Sequence, residues 1–264
     1  MDAFLLGLIE GLTEFLPISS TGHLILLGTW LGHSDEASKT LDIVIQFGAI
    51  LAVVVYYRKR LWELVRGCLR REPENLRLFA AVAVAFVPSA VVGLLLHKTI
   101  KAHLFGPKPV GAALIVGGIV MLLVEAYRAK QEKPREGDLK DVTLSRALAI
   151  GLAQCFSLWP GASRSMTTIV GGQMSGLGTA TAADFSFLLA IPTLGAATAY
   201  DLLKNGRTLL ESPTGPTSLL IGTVVSFFVA LAVIATFLRY LKRFGLAPFG
   251  VYRIVLGALV LALL

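Results

Sequence analysis

The sequence predicts an all-α, polytopic integral membrane protein, and three observations predict it. Of the 264 residues, 55% are hydrophobic and 16% charged, and the mean hydropathy is +0.73, which leaves too little polar surface for a water-soluble domain. Apolar runs recur from one end of the chain to the other. Two of them are broken near their middles by Pro17 and Pro160, within clusters of Gly, Ser and Thr, and carry acids and an arginine where a lipid-facing helix carries none.

No stretch is left for a separate soluble module, so one membrane domain is expected over 1–264. The net charge of +7 does not point to nucleic acid, because Lys and Arg gather in the short connections between apolar runs, as membrane topology demands. Phospholipid headgroups are the expected partners. Cys68 and Cys155 lie far apart and lack metal-ligand spacing, so neither a disulfide framework nor a zinc site is indicated. They are expected to be packing residues. Met1-Asp2-Ala3-Phe4 has no basic region before its apolar stretch, and Glu10 and Glu14 lie inside that stretch, so the N-terminus is expected to remain in the mature protein.

A bilayer core about 30 Å thick takes about 20 helical residues to cross. By that measure six transmembrane helices are expected, centred on 41–57, 76–96, 109–127, 184–203, 217–238 and 249–264. The interrupted segments 3–31 and 147–180 are expected to form two re-entrant helix hairpins. The reason is energetic: an acid at the centre of a lipid-facing helix costs roughly 2.5 to 3.5 kcal/mol, and broken backbone at membrane depth survives only where protein or a wet cavity covers it.

The halves repeat. Gly7, Leu8, Glu10, Thr13, Pro17 and Ser20 find counterparts in Gly151, Leu152, Gln154, Ser157, Pro160 and Ser163, and later Asp42 matches Asp184 and Gly118 matches Gly257. Repeat 1 covers about 1–135 and repeat 2 about 142–264. One hairpin and three spans per half is an odd number of crossings, so an inverted-topology repeat is expected. Segments 58–77, 128–146 and 239–248, read as loops, hold 16 of the 24 basic residues, which puts them in the cytoplasm and both termini outside. Arg164 and Arg253 remain at membrane depth. Arg253 is expected to snorkel or to pair structurally within the last span.

Glu10 and Glu14 share one face of a helix at a spacing of four, and two carboxylates in apolar surroundings require a cation, a proton or a basic partner. A divalent metal bridging to phosphate oxygens satisfies both. Beyond Pro17, the run Ser19-Ser20-Thr21-Gly22 starts a second helix whose free amides and hydroxyls attract phosphate, and His23 follows one short turn later. The second hairpin, Trp159-Pro160-Gly161-Ala162-Ser163-Arg164-Ser165-Met166-Thr167-Thr168, repeats the proline-initiated, hydroxyl-rich helix start and adds a guanidinium that forks onto phosphate oxygens.

The pattern Glu10-x-x-x-Glu14, then Pro17-x-Ser19-Ser20-Thr21-Gly22-His23, then Pro160-Gly161-x-Ser163-Arg164-Ser165 resembles the bacitracin-resistance type of undecaprenyl-pyrophosphate phosphatase over nearly the whole chain. The resemblance implies hydrolysis of undecaprenyl pyrophosphate to the monophosphate on the outer, periplasmic face of the bacterial inner membrane, dependent on Mg²⁺ or Ca²⁺. That activity recycles the lipid carrier of peptidoglycan and confers bacitracin resistance. It further implies that Glu10 and Glu14 form the acidic motif, that Ser20 and His23 are the nucleophile candidates, and that Ser163, Arg164 and Thr168 bind phosphate, with Ser165, Ser19 and Thr21 beside them. The family has Gly after Ser-Arg-Ser where this chain has Met166, whose side chain is expected to turn toward the lipid tail.

Two routes stay open. Either His23 attacks directly and a phosphohistidine forms, or Ser20 attacks with His23 or a glutamate as base. A transporter or lipid flippase is the rival from another class, because inverted repeats with broken helices are the architecture of alternating access; paired acids, hydroxyls, a histidine and an arginine together favour the enzyme. A homodimer is compatible with either.

Overall fold

The apolar runs fold as eleven α-helices in a computed structural model that describes residues 2–32, 36–131, 137–211 and 215–263. They are α1 (Asp2–Thr13), α2 (Ser20–Leu31), α3 (Glu36–Tyr56), α4 (Arg58–Leu69), α5 (Pro73–His103), α6 (Pro107–Ala129), α7 (Leu144–Gln154), α8 (Arg164–Met174), α9 (Thr179–Glu211), α10 (Gly215–Phe244) and α11 (Ala247–Leu263). The described residues contain no strand. Among the described residues four helices are long and apolar enough to cross a bilayer: Pro73–Leu96, Pro107–Ala129, Thr179–Arg207 and Gly215–Leu241. The runs expected at 41–57 and 249–264 fold as shorter apolar helices, Val44–Tyr56 within α3 and Ala247–Leu263. Large side chains such as Leu95, Phe156 and Leu203 stand exposed around the outside, a surface that suits lipid and not water.

Segment 58–77 is not a loop. It folds as α4 and the first turn of α5, because Trp62, Val65 and Leu69 recur at helical spacing among Arg58, Lys59, Arg60, Arg66 and Arg70. Those three apolar side chains are exposed, and the Arg66 guanidinium lies 4.7 Å over the Trp62 ring. Such a helix has the composition that suits the headgroup layer of a bilayer. Of the residues read from the sequence, Lys133 and Arg135 and the side chains of Asp42 and Lys242 lie outside the described residues.

The two halves interleave. α1 packs on α10 and α7 on α5, so each half's interrupted segment lies against a long helix of the other, while α3 meets α9 and α6 meets α11. Small residues permit these approaches: a Cβ on Gly118 would stand 2.6 Å from the Gly250 carbonyl oxygen, and one on Gly257 would stand 2.7 Å from that of Gly111. The same pair of contacts thus occurs twice along the seam between α6 and α11, with the helices exchanged. Phe15, Phe185, Phe187 and Phe237 fill the centre of the core, Phe15 meeting Phe187 edge-on at 5.1 Å.

Candidate active site

Both interruptions end in the same backbone device. α1 stops at Thr13, whose hydroxyl turns back to the Ile9 carbonyl at 2.6 Å, and a chain containing Pro17 cannot continue the helical ladder. α2 restarts at Ser20 behind Ser19, which has φ 75° and whose Oγ accepts from the Gly22 amide. In the second half, a 3-10 turn Cys155–Leu158, Pro160 and Gly161 precede Ser163, with φ 72° and its Oγ accepting from the Met166 amide at the start of α8. A left-handed, non-glycine helix cap is costly, at about 1 kcal/mol or more, yet it appears at equivalent places in both halves. Gly161, at φ +97°, has no alternative: a Cβ there would also stand 2.7 Å from the Val110 carbonyl oxygen.

Arg253 joins the two breaks. It is fully buried and donates to four backbone carbonyls: Pro17 and Ala113 at 3.1 Å, Gly161 at 2.9 Å and Leu114 at 3.4 Å. It therefore does not snorkel. Its role is structural, as one of the two expected alternatives had it, but its partners lie on α6 and in the breaks instead of within its own span. Ser165 adds a second tie, its hydroxyl donating to the Leu16 carbonyl at 2.8 Å.

At the junction so formed, Glu14 accepts from both halves. Its Oε1 takes Arg164 Nη2 at 3.2 Å, and its Oε2 takes a short hydrogen bond from Ser20 Oγ. The pair is almost closed to solvent, with the Arg164 side chain 7% and the Glu14 side chain 4% exposed. Arg164 Nη1 donates to the Ser186 carbonyl at 3.0 Å and to its hydroxyl at 3.2 Å, and the guanidinium stands 5.8 Å over the Phe15 ring. Its Nε is buried and has no hydrogen-bond partner among the described residues. A buried guanidinium N–H directed at nothing is costly unless an acceptor arrives.

The remaining residues expected at the site divide by what their side chains do. The hydroxyls of Ser19 and Ser163 cap their helices, Ser163 and Ser165 contact each other at 3.1 Å, and Thr168 donates to the Arg164 carbonyl at 2.8 Å while touching Ser186 Oγ at 2.7 Å. Thr21 is half-buried in the first turn of α2. His23 takes other partners: its Nδ1 lies 2.7 Å from the Ser19 carbonyl oxygen and its Nε2 lies 2.8 Å from the Tyr252 hydroxyl. Met166 does not turn toward lipid. It is buried in the main core and lies against Gly117, because α8 presents that position to α6.

Glu10, fully buried one helical turn before Glu14, gives the site two carboxylates against one guanidinium. Its counterpart Gln154 is equally buried, yet there the amide donates to Ser89 Oγ at 2.5 Å and accepts from Thr193 at 3.4 Å. The second half thus has a neutral, hydrogen-bonded amide where the first has a carboxylic side chain. Among the described residues no group of three or more His, Cys, Asp or Glu side chains gathers around a point. Two carboxylates alone suit a hard cation that keeps several waters and takes the rest of its oxygens from phosphate, so the donor set fits Mg²⁺ or Ca²⁺.

Ser186, Tyr252 and the clamping role of Arg253 were not expected from the sequence. For Tyr252 one signal existed, its place beside Arg253 inside an otherwise apolar run.

Comparisons with known proteins find relatives over nearly the whole chain. The chain is 71% identical over 260 residues to a protein of Sorangium cellulosum named undecaprenyl-diphosphatase, a match that covers 98% of this chain and 85% of that protein. It is 46% identical over 265 residues to an undecaprenyl-diphosphatase of Thermoanaerobacter sp., covering 100% and 96%. It is 49% identical over 263 residues to undecaprenyl-diphosphatase 2 of Rhodospirillum rubrum, covering 99% and 94%. Residues 3–259 match the family described as Bacitracin resistance protein BacA, and to that family the chain belongs.

Proposed function

We propose that this protein is a multi-pass membrane phosphatase that hydrolyses undecaprenyl pyrophosphate to undecaprenyl phosphate and inorganic phosphate. The observation that carries the reading is the line Ser20–Glu14–Arg164: a hydroxyl already donating to a buried carboxylate, beside a guanidinium whose Nε still lacks an acceptor. A diphosphate supplies the missing oxygen, and the relatives' name supplies the substrate class.

The prenyl chain lies between helices and the diphosphate reaches the junction of the breaks. Arg164 holds the terminal phosphoryl group through Nε while Ser186 and Glu14 fix the plane of its fork. Ser20 Oγ attacks the terminal phosphorus and its proton passes to Glu14, the carboxylate it already touches. The bond from phosphorus to the bridging oxygen breaks and undecaprenyl phosphate leaves; water then attacks the phosphoserine, the bond from phosphorus to Ser20 Oγ breaks, Glu14 returns the proton to Oγ, and inorganic phosphate leaves carrying the water's oxygen and protons. Charge on the transferring group meets donors already in place. A divalent cation on Glu10 and Glu14 would neutralise phosphate oxygens when bound. Ser163, Ser165, Thr168, Ser19 and Thr21 serve mainly by shaping the helix starts, whose amides face the phosphate. His23 is the alternative nucleophile, but neither of its ring nitrogens bonds to Ser20 or Glu14.

The same reading makes α1–α2 and α7–α8 re-entrant pairs, counts α3, α5, α6, α9, α10 and α11 as six spans, and relates repeat 1 (about 1–135) to repeat 2 (about 142–264) by inversion. The interleaving of α1 on α10 with α7 on α5, and the doubled glycine contacts of α6 and α11, support it. The basic helix α4 belongs on the cytoplasmic face of the bacterial inner membrane and the site opens to the periplasm, where dephosphorylation returns the carrier to cell-wall synthesis and confers bacitracin resistance. Phosphate release from undecaprenyl pyrophosphate by purified protein in detergent tests the reading: micelles abolish transport and permit hydrolysis. Release that depends on Mg²⁺ or Ca²⁺ is expected, and its absence at every metal concentration would overturn it.

A further inference from the structure

We infer that Tyr252 is a positioning residue of the phosphatase site, one that fixes the tautomer and ring plane of His23 through its hydroxyl. The inference rests on the phosphatase reading for its kinetic consequence, but its geometry is independent of it. The Ser19 carbonyl can only accept, so the His23 Nδ1 at 2.7 Å carries the proton. In the neutral ring Nε2 then bears the lone pair, and the Tyr252 hydroxyl at 2.8 Å donates to it. The two rings lie 3° from parallel with centroids 5.8 Å apart, so the phenol restrains the plane of the imidazole as well as its proton.

Three further features make this more than a chance contact. Tyr252 is 43% exposed while His23 is half-buried, so the phenol is the outward side of the pair. Its chain neighbour Arg253 is locked to the carbonyls of Pro17 and Gly161, which fixes α11 against both interruptions and leaves Tyr252 little freedom to retreat. The other anchor of the imidazole, Ser19, is the strained cap with φ 75° that starts the Ser20 helix. A tautomeric change at His23 would turn a lone pair against the Ser19 carbonyl oxygen and disturb the turn that aims Ser20. By holding Nε2, Tyr252 opposes that change.

Tyr252→Phe keeps the ring and the stacking and removes only the hydroxyl. Loss of one neutral hydrogen bond predicts a three- to tenfold fall in kcat for phosphate release in detergent, about what such a bond is worth, with KM within about twofold of the parent. The direct readout is nitrogen NMR of protein labelled in histidine, the His23 signals being assigned by their loss in His23→Gln. Parent protein should show a protonated Nδ1 and a hydrogen-bonded, unprotonated Nε2, and Tyr252→Phe should move the Nε2 signal toward that of a non-bonded nitrogen. If Nε2 is protonated in the parent, or if the Phe variant changes neither the signal nor kcat, the inference is wrong. A variant that moves the melting temperature alone would also overturn it. Should the parent release no phosphate, the phosphatase reading fails, while the nitrogen signals still decide whether Tyr252 fixes His23.

Discussion

Glu14 and Arg164 meet at 3.2 Å across 150 positions of chain, each from the break within an interrupted helix pair, and neither is open to solvent. Burying that pair is tolerable because each partner has further hydrogen bonds, Glu14 to Ser20 and Arg164 to Ser186. Arg164→Lys keeps the charge but cannot serve Glu14, Ser186 and a phosphate oxygen in one plane. If the lost charge-assisted bond is worth about 1.5 to 3 kcal/mol, phosphate release drops by roughly tenfold or more. Kinetics on protein that still elutes as a folded species checks this, and unchanged turnover would remove Arg164 from the site.

Glu10→Gln is expected to fold, since the chain already buries Gln154 at the equivalent place. The variant loses a negative oxygen ligand, so half-maximal activity should require more Mg²⁺ than in the parent, at a melting temperature close to the parent's. A metal titration superposing on that of the parent would count against a cation on this carboxylate.

Trapping phosphate from labelled substrate separates the two nucleophiles. An acid-stable, base-labile adduct that is absent from Ser20→Ala is expected of a phosphoserine. An acid-labile adduct that survives in Ser20→Ala would transfer the role to His23, and with it the meaning of the Ser20–Glu14 bond.

Arg253 predicts a stability effect in place of a catalytic one. Arg253→Met leaves the carbonyls of Pro17 and Gly161 without their buried donor, at a cost of about 3 kcal/mol or more. The variant should unfold well below the parent in a thermal scan in detergent, whether or not substrate is present. A variant with parental stability and lost activity would instead place Arg253 among the groups that contact substrate.

Some of this was legible in the chain and some was not. The two breaks were legible because proline, glycine and hydroxyl residues act locally: Ser19 and Ser163 cap the helices that the sequence pattern starts there. Glu10 and Glu14 announced themselves by being charged in an apolar run. By contrast, segment 58–77 reads as a basic loop until Trp62, Val65 and Leu69 are seen to share one helical face, and Met166 points inward because of the packing of α8 on α6, which no local rule supplies.

The sequence alone determined that the chain belongs in a bilayer, where its helices break, and which charges have to be sheltered there, because hydropathy and backbone preference are properties of short stretches. Only the tertiary structure decided which sheltered groups touch. That Ser20 bonds to Glu14, that His23 turns to Tyr252, and that Arg253 spans Pro17 and Gly161 all depend on where helices from distant parts of the chain cross. Buried charge has to find partners somewhere, but the partner it finds is set by three-dimensional proximity, which separation along the chain does not encode.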